Sequence, residues 1–229
     1  MSVPTVAIVD YGMGNLFSVQ QACHIVGLEV RITSSKEDIL DSDSVILPGV
    51  GAFADAMAAL RERKLIEPIL ETIHSGKPFM GICLGMQLLF EESEEFGRHR
   101  GLGVIPGAVI RFKSNGNKKL KVPCIGWNRI EKFPSQNRNL WERSLLCGIE
   151  EGAFMYFVHS YYCVPTDKSI VVSRSEYHGI VYCSSVLFGN IFACQFHPER
   201  SGNTGLTLYK NFMKMTQRGE LRWLRRKMW

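Results

Sequence analysis

The first ninety residues alternate short β-branched runs with amphipathic stretches. "TVAIVD" (5–10), "SVILPG" (44–49) and "KPFMGIC" (77–83) are continuous apolar runs, the pattern of strands buried on both faces. Between them, "NLFSVQQACHIVG" (15–27) has helical periodicity closed by Gly27, and residues 53–76 suffice for one helix broken near Pro68 or for two. This alternation predicts an α/β fold: a mostly parallel central sheet with helices on both faces. From about Gly101 the texture changes to short strands, including "GVIPGAVIRF", "CIGWNRI", "AFMYFVHSYYCV", "SIVVSR", "IVYCSSVLF" and "NIFACQFHPE", before a final helix over 205–217. An antiparallel, strand-rich C-terminal half on the same sheet follows, giving one domain over 1–217 and a tail over 218–229. The lysine-rich "KSNGNKKLK" (113–121) reads as a solvated turn.

Composition narrows the function. The formal charge is +5, but the last twelve residues hold five basic side chains and one acidic, so the body carries only +1. That is too little basic surface for nucleic-acid binding to be its main business. No apolar run approaches the ~20 residues that span a bilayer, and the start lacks a basic segment followed by a cleavable apolar one. A cytoplasmic protein is expected. Seven scattered cysteines without a CxxC pair suggest reduced thiols, with neither a disulfide framework nor a zinc site, and no cofactor is expected.

One cysteine stands out. In "GICLG" Cys83 lies between a strand and a helix, flanked by Gly81 and Gly85, like the nucleophile of a GxSxG elbow. Small neighbours permit the tight turn that lifts the side chain clear of the sheet edge. The helix N-terminus favours thiolate, and the Leu84 amide points where an oxyanion would form. Chance alone gives such a motif in this composition with a probability of about 0.06. A thiol nucleophile also needs a base and a group to orient it. His24 and His74 fall within predicted helices and His99 in a charged loop, where structural or solvated roles suffice. His197 ends a strongly apolar strand in "FHPE", with Glu199 two residues on and projecting to the same side. Both motifs arising together by accident has a probability on the order of one in a thousand. Cys83, His197 and Glu199 thus specify acyl transfer through a thioester. Gly49 and Gly51 in "LPGVGAF" let the main chain approach a substrate, with Val50 or Gly51 as a second oxyanion donor.

In order, "LPGVGAF", "GICLGMQLLF" and "FHPE" resemble the class I, triad-type glutamine amidotransferase family over most of the chain. The resemblance implies a flavodoxin-like α/β fold and hydrolysis of glutamine to glutamate and ammonia. "DYGMGNLFSV", "GWNRI" and "YFVHSYY" are similar to the branch serving histidine biosynthesis, which implies a separate (β/α)₈-barrel synthase subunit that receives the ammonia. By the same likeness Gly51, Gln87, Glu95, Ser160 and Tyr161 would hold glutamine, and Asn15, Trp127 and Tyr156 would face the partner. On the strand pattern alone, Trp127 and Tyr156 read as core aromatics. Two departures accompany the likeness: Cys124 stands where the family usually has histidine, and the tail runs past the family's usual end. Alternatives are a related subunit feeding a synthase for surface sugars, a partner-independent cysteine peptidase or deglycase, and a non-catalytic binding subunit. Phe17 replaces the third glycine of GxGxxG after Gly12 and Gly14, so a dinucleotide loop is disfavoured.

Overall fold

A computed structural model describes residues 3–113, 120–134 and 139–218. The lysine-rich loop at 114–119 and the tail at 219–229 lie outside them. In chain order the N-terminal elements are β1 (Thr5–Val9), α1 (Leu16–Ile25), β2 (Glu29–Thr33), α2 (Lys36–Asp41), β3 (Ser44–Leu47), α3 (Phe53–Glu62), α4 (Ile66–His74), β4 (Phe79–Ile82) and α5 (Leu84–Leu88). Short strands follow: β5 (Phe90–Ser93), β6 (His99–Arg100), β7 (Ile105–Arg111), β8 (Cys124–Arg129), β9 (Glu131–Lys132), β10 (Phe154–His159) and β11 (Tyr161–Pro165). The chain closes with β12 (Val171–Tyr177), β13 (Ile180–Phe188), β14 (Ile191–Cys194) and α6 (Gly202–Arg218).

The main sheet has eight strands in the order β2-β1-β3-β4-β14-β13-β12-β9. β2, β1, β3, β4 and β14 pair in parallel, whereas β13, β12 and β9 are added antiparallel. Alternate residues of β1, β3, β4 and β14 enter two separate cores. Val6, Ile8, Met80 and Ile82 pack with Val19 and Cys23 of α1 and with Leu208 and Phe212 of α6. Ala7, Val9, Val45 and Leu47 pack with Phe53, Met57 and Leu60 of α3 and Ile69 of α4. Double burial explains why these strands read as unbroken apolar runs.

Three differences from the sequence reading have physical causes. The later strands do not all join one sheet: β11-β7-β5-β6 form a four-stranded sheet and β10-β8 a two-stranded one. The region at 53–76 forms two helices, one of the two expected outcomes, but they part at Lys64, whose φ is +57°, and not near Pro68. Pro68 falls in the first turn of α4, where its missing N–H leaves no hydrogen bond unmade. "EVRIT" forms β2 unheralded, because as an edge strand it exposes Glu29 and Arg31 and lacks the double-apolar pattern. Among the described residues no helix is long and apolar enough to cross a membrane, and no group of three or more His, Cys, Asp or Glu could hold a metal ion.

Candidate active site

The carboxyl edge of β1, β3 and β4 gathers the site, as expected for a crevice at the end of an open parallel sheet. Cys83 follows β4 directly and adopts φ +54°, ψ −107°, a conformation rare for a residue with a Cβ. Its N–H donates to the Cys194 carbonyl at 2.8 Å, and its own carbonyl accepts from Met86 and Gln87 in α5. The flanking glycines are needed for close approach. A Cβ on Gly85 would lie 1.8 Å from the Leu47 carbonyl oxygen, and one on Gly81 only 3.0–3.2 Å from Leu89, Gly85 and Ala193. The helix after the elbow has only five residues. Its dipole is correspondingly short, and side-chain donors gain importance at the sulfur.

A cavity of about 250 Å³ opens beside the thiol. Its wall brings Cys83 and Leu84 together with Val50, Gly51, Gln87, Glu95, Ser160 and Tyr161, the residues expected there from sequence. It also includes Pro123, Val158 and His159, which the sequence reading did not single out. Glu95 accepts from the Phe53 N–H at 2.6 Å and so caps α3, whose N-cap Ala52 has no side chain for the task. Gln87 Nε2 donates to the Tyr161 carbonyl at 3.1 Å and to Gln195 Oε1 at 3.0 Å. Both of its N–H groups are thereby committed, leaving only Oε1 for a ligand. Leu84 N–H donates to the Gly49 carbonyl at 3.4 Å.

His197 and Glu199 stand together behind the thiol. The imidazole Nδ1 meets Glu199 Oε1 at 2.8 Å, with the two side chains 5% and 2% exposed. Nε2 is buried and lacks a well-formed hydrogen bond, at the edge of hydrogen-bond geometry with the Cys83 sulfur. Burial alone would depress the imidazole pKa, but the negative charge and hydrogen bonding of Cys83, then those of Glu199, outweigh it and hold the pKa high. The arrangement therefore sets a protonated imidazole between the Glu199 side chain, which orients it, and the Cys83 sulfur. The backbone ties this pair to the neighbouring strand: His197 N–H donates to the Tyr156 carbonyl at 2.9 Å.

His159 is the second histidine near the thiol. Because the Tyr161 carbonyl can only accept, the 2.8 Å contact from Nδ1 fixes the proton on that nitrogen. Burial pushes its pKa down to about 4, against the raising effect of that bond, so it is neutral at pH 7. The expected partner-facing residues lie near the same edge. Asn15 caps α1 by accepting from Ser18 N–H at 3.2 Å. Trp127 is 56% exposed and Tyr156 half-buried, which corrects the core-aromatic reading. Their rings meet edge-on at 6.0 Å, and the Arg200 guanidinium sits 4.4 Å over Tyr156. Cys124 is buried, and burial raises its thiol pKa to about 11.

This chain belongs to the class-I glutamine amidotransferases, whose family model matches residues 7–215. Within that family it is 46% identical over 214 residues to imidazole glycerol phosphate synthase subunit HisH of Syntrophotalea carbinolica, covering 92% of this chain and 100% of that one. The HisH subunit of Geobacter metallireducens is 47% identical over 213 residues, covering 91% and 97%. Among solved structures, PurLQS from Thermotoga maritima aligns with a TM-score of 0.69 at 24% identity, covering 93% of this chain and 99% of that one. A second, described as a glutamine amidotransferase, gives 0.68 at 18% identity, covering 92% and 98%. Both support the mixed α/β fold.

Proposed function

We propose that the chain is the glutaminase subunit of imidazole glycerol phosphate synthase in histidine biosynthesis, passing ammonia to a separate (β/α)₈-barrel synthase subunit. The observation that carries the chemistry is the buried His197–Glu199 pair set against Cys83 at the mouth of a cavity. Likeness to the HisH subunits over nine-tenths of the chain supports the pathway and the two-protein assembly.

The chemistry follows from these groups. The Cys83 thiolate attacks the side-chain amide carbon of glutamine, and the carbonyl π electrons move to oxygen. The C–N bond then breaks as His197 gives its proton to the departing nitrogen, releasing ammonia and leaving a γ-glutamyl thioester. Water attacks the thioester as neutral His197 takes its proton. The C–S bond breaks, restoring the thiolate opposite the imidazolium, and the new γ-carboxyl gives its remaining proton to solvent as glutamate departs. Glu199 keeps the imidazole in the right tautomer throughout and stabilises its charge. The oxyanion would be held by the Leu84 amide with Val50 or Gly51, and Gly51, Gln87, Glu95, Ser160 and Tyr161 would hold the substrate. Asn15, Trp127 and Tyr156 would face the synthase. The seven free thiols suit a reducing compartment, the cytoplasm.

Glutamine hydrolysis by the purified chain, alone and with a cognate barrel subunit and its nucleotide substrate, tests the proposal. Strong stimulation is expected. High turnover without the partner would contradict the subunit reading.

A further inference from the structure

Gln195 follows β14 and is fully buried, a polar side chain in an otherwise apolar run. A buried carboxamide needs donors and acceptor matched to its neighbours, and here a main-chain group decides which way it faces. The Tyr161 carbonyl only accepts. It takes hydrogen bonds from His159 Nδ1 at 2.8 Å and from Gln87 Nε2 at 3.1 Å. The same Gln87 nitrogen reaches Gln195 at 3.0 Å, so Gln195 must present its oxygen there. Its nitrogen is then left facing the Cys83 sulfur, 3.5 Å away; the titratable groups that also act on that sulfur are His197, Tyr11, Cys163 and Cys194. Reversing either carboxamide would set like against like, oxygen on oxygen at Tyr161 or nitrogen on nitrogen between the glutamines.

We infer that Gln195 is a positioning residue that holds an N–H on the Cys83 sulfur and favours its thiolate, with Gln87 and the Tyr161 carbonyl fixing its orientation. Hydrogen bonds to the charged form of a group stabilise that form, and a donor locked in place needs no rearrangement when the charge appears. The Tyr161 carbonyl borders the bend at Ser160, between β10 and β11, which lines the cavity. The readiness of the thiol is thereby tied to the geometry of the substrate-side bend. The inference rests on the reading of Cys83 as the nucleophile.

The test is the pH dependence of Cys83 alkylation by iodoacetamide in the full chain, followed peptide by peptide by mass spectrometry. In Gln195→Leu the Cys83 midpoint should rise by about one pH unit, and in Gln195→Glu by more, because a carboxylate replaces the donor. Gln87→Met removes the orienting donor without touching the sulfur and should give a smaller rise. Cys147 is exposed and should keep its profile in every variant. An unchanged or lowered Cys83 midpoint in Gln195→Leu with a wild-type melting curve would overturn the inference. If that variant does not fold, an unchanged midpoint in Gln87→Met overturns it instead. The readout is thiol reactivity, so failure here is separable from failure of the nucleophile assignment, which would show as normal glutamine turnover by Cys83→Ala.

Discussion

The Leu84 N–H donates to the Gly49 carbonyl at 3.4 Å, so the backbone donor beside Cys83 is already occupied by an acceptor from the loop after β3. In a trans peptide the carbonyl and the next N–H point in opposite directions, so the Val50 N–H is turned away from Leu84. Turning that peptide over would exchange an acceptor for a donor and free the Leu84 amide at once. The loop is held against this by the Tyr11 hydroxyl, which donates to the Pro48 carbonyl at 2.8 Å. Each oxyanion donor is worth about 10²–10³ in rate. We expect the isolated chain to hydrolyse glutamine slowly and the assembled, substrate-loaded complex to be at least about 10²-fold faster in kcat. Equal kcat values in the two states would show that the donor pair is already in place.

Cys83→Ala should lower glutamine turnover by about 10³-fold or more, and His197→Ala by a similar factor, because groups acting as a unit are not additive. Combining the two should cost little beyond either alone. A double variant much slower than both single ones would show that they act separately.

Glu199→Gln keeps the shape of the pair but removes its charge. Loss of the 2.8 Å contact to a carboxylate should lower the His197 pKa from about 10 and reduce turnover by less than removal of the imidazole does. NMR titration of the ring measures the first effect directly. A His197 pKa unmoved by the substitution would assign the whole upward shift to Cys83.

His159 predicts an acid limb in stability. Its folded pKa of about 4 lies below the ordinary 6.5, so the unfolded chain binds a proton first as pH falls. Its contribution is intact above about pH 6.5, declines between 6.5 and 4, and is fully lost below. His159→Gln retains an N–H donor without titrating. Its unfolding free energy should therefore fall less steeply over that window, as read from urea unfolding at stepped pH; parallel slopes would remove His159 from the account.

Gly85→Ala should destabilise the fold by about 2–3 kcal/mol, since the new Cβ would lie 1.8 Å from the Leu47 carbonyl oxygen, a backbone group that cannot swing aside. Gly76→Ala is the control. Its φ of +81° strains any side chain, but nothing lies within 4 Å, so a smaller loss of about 1 kcal/mol is expected. Chemical denaturation of both variants checks the ranking.

Much of the parallel sheet was legible because burial on both faces leaves an unbroken apolar run, as in β1, β3 and β4. Cys83 and His197 were visible for a related reason: each is a reactive side chain at the end of such a run, with glycines or a proline marking the turn. Gln195 belongs to the same class of signal, a polar residue inside "FACQFHP", yet its partners Gln87 and Cys83 lie 108 and 112 positions away, and only the fold reveals which way its amide faces. The separate β11-β7-β5-β6 sheet was hidden because strand pattern marks which residues pair but not with which neighbour. Trp127 was misread from its strand alone. Among the described residues β8 pairs only with β10 in a two-stranded ribbon, and the Trp127 face of that ribbon is open to solvent.

That open face gives the chain an optical consequence. An indole moving from water into an interface changes the colour and yield of its fluorescence, and Trp127 stands more than half in water beside the Tyr156 ring. Trp141, by contrast, is buried with its N–H on the Ile149 carbonyl and supplies a steady background. On the proposed reading that this face meets the synthase, a chain whose remaining tryptophans, Trp223 and Trp229, are replaced by phenylalanine would report arrival of the partner by a blue shift, with no label attached.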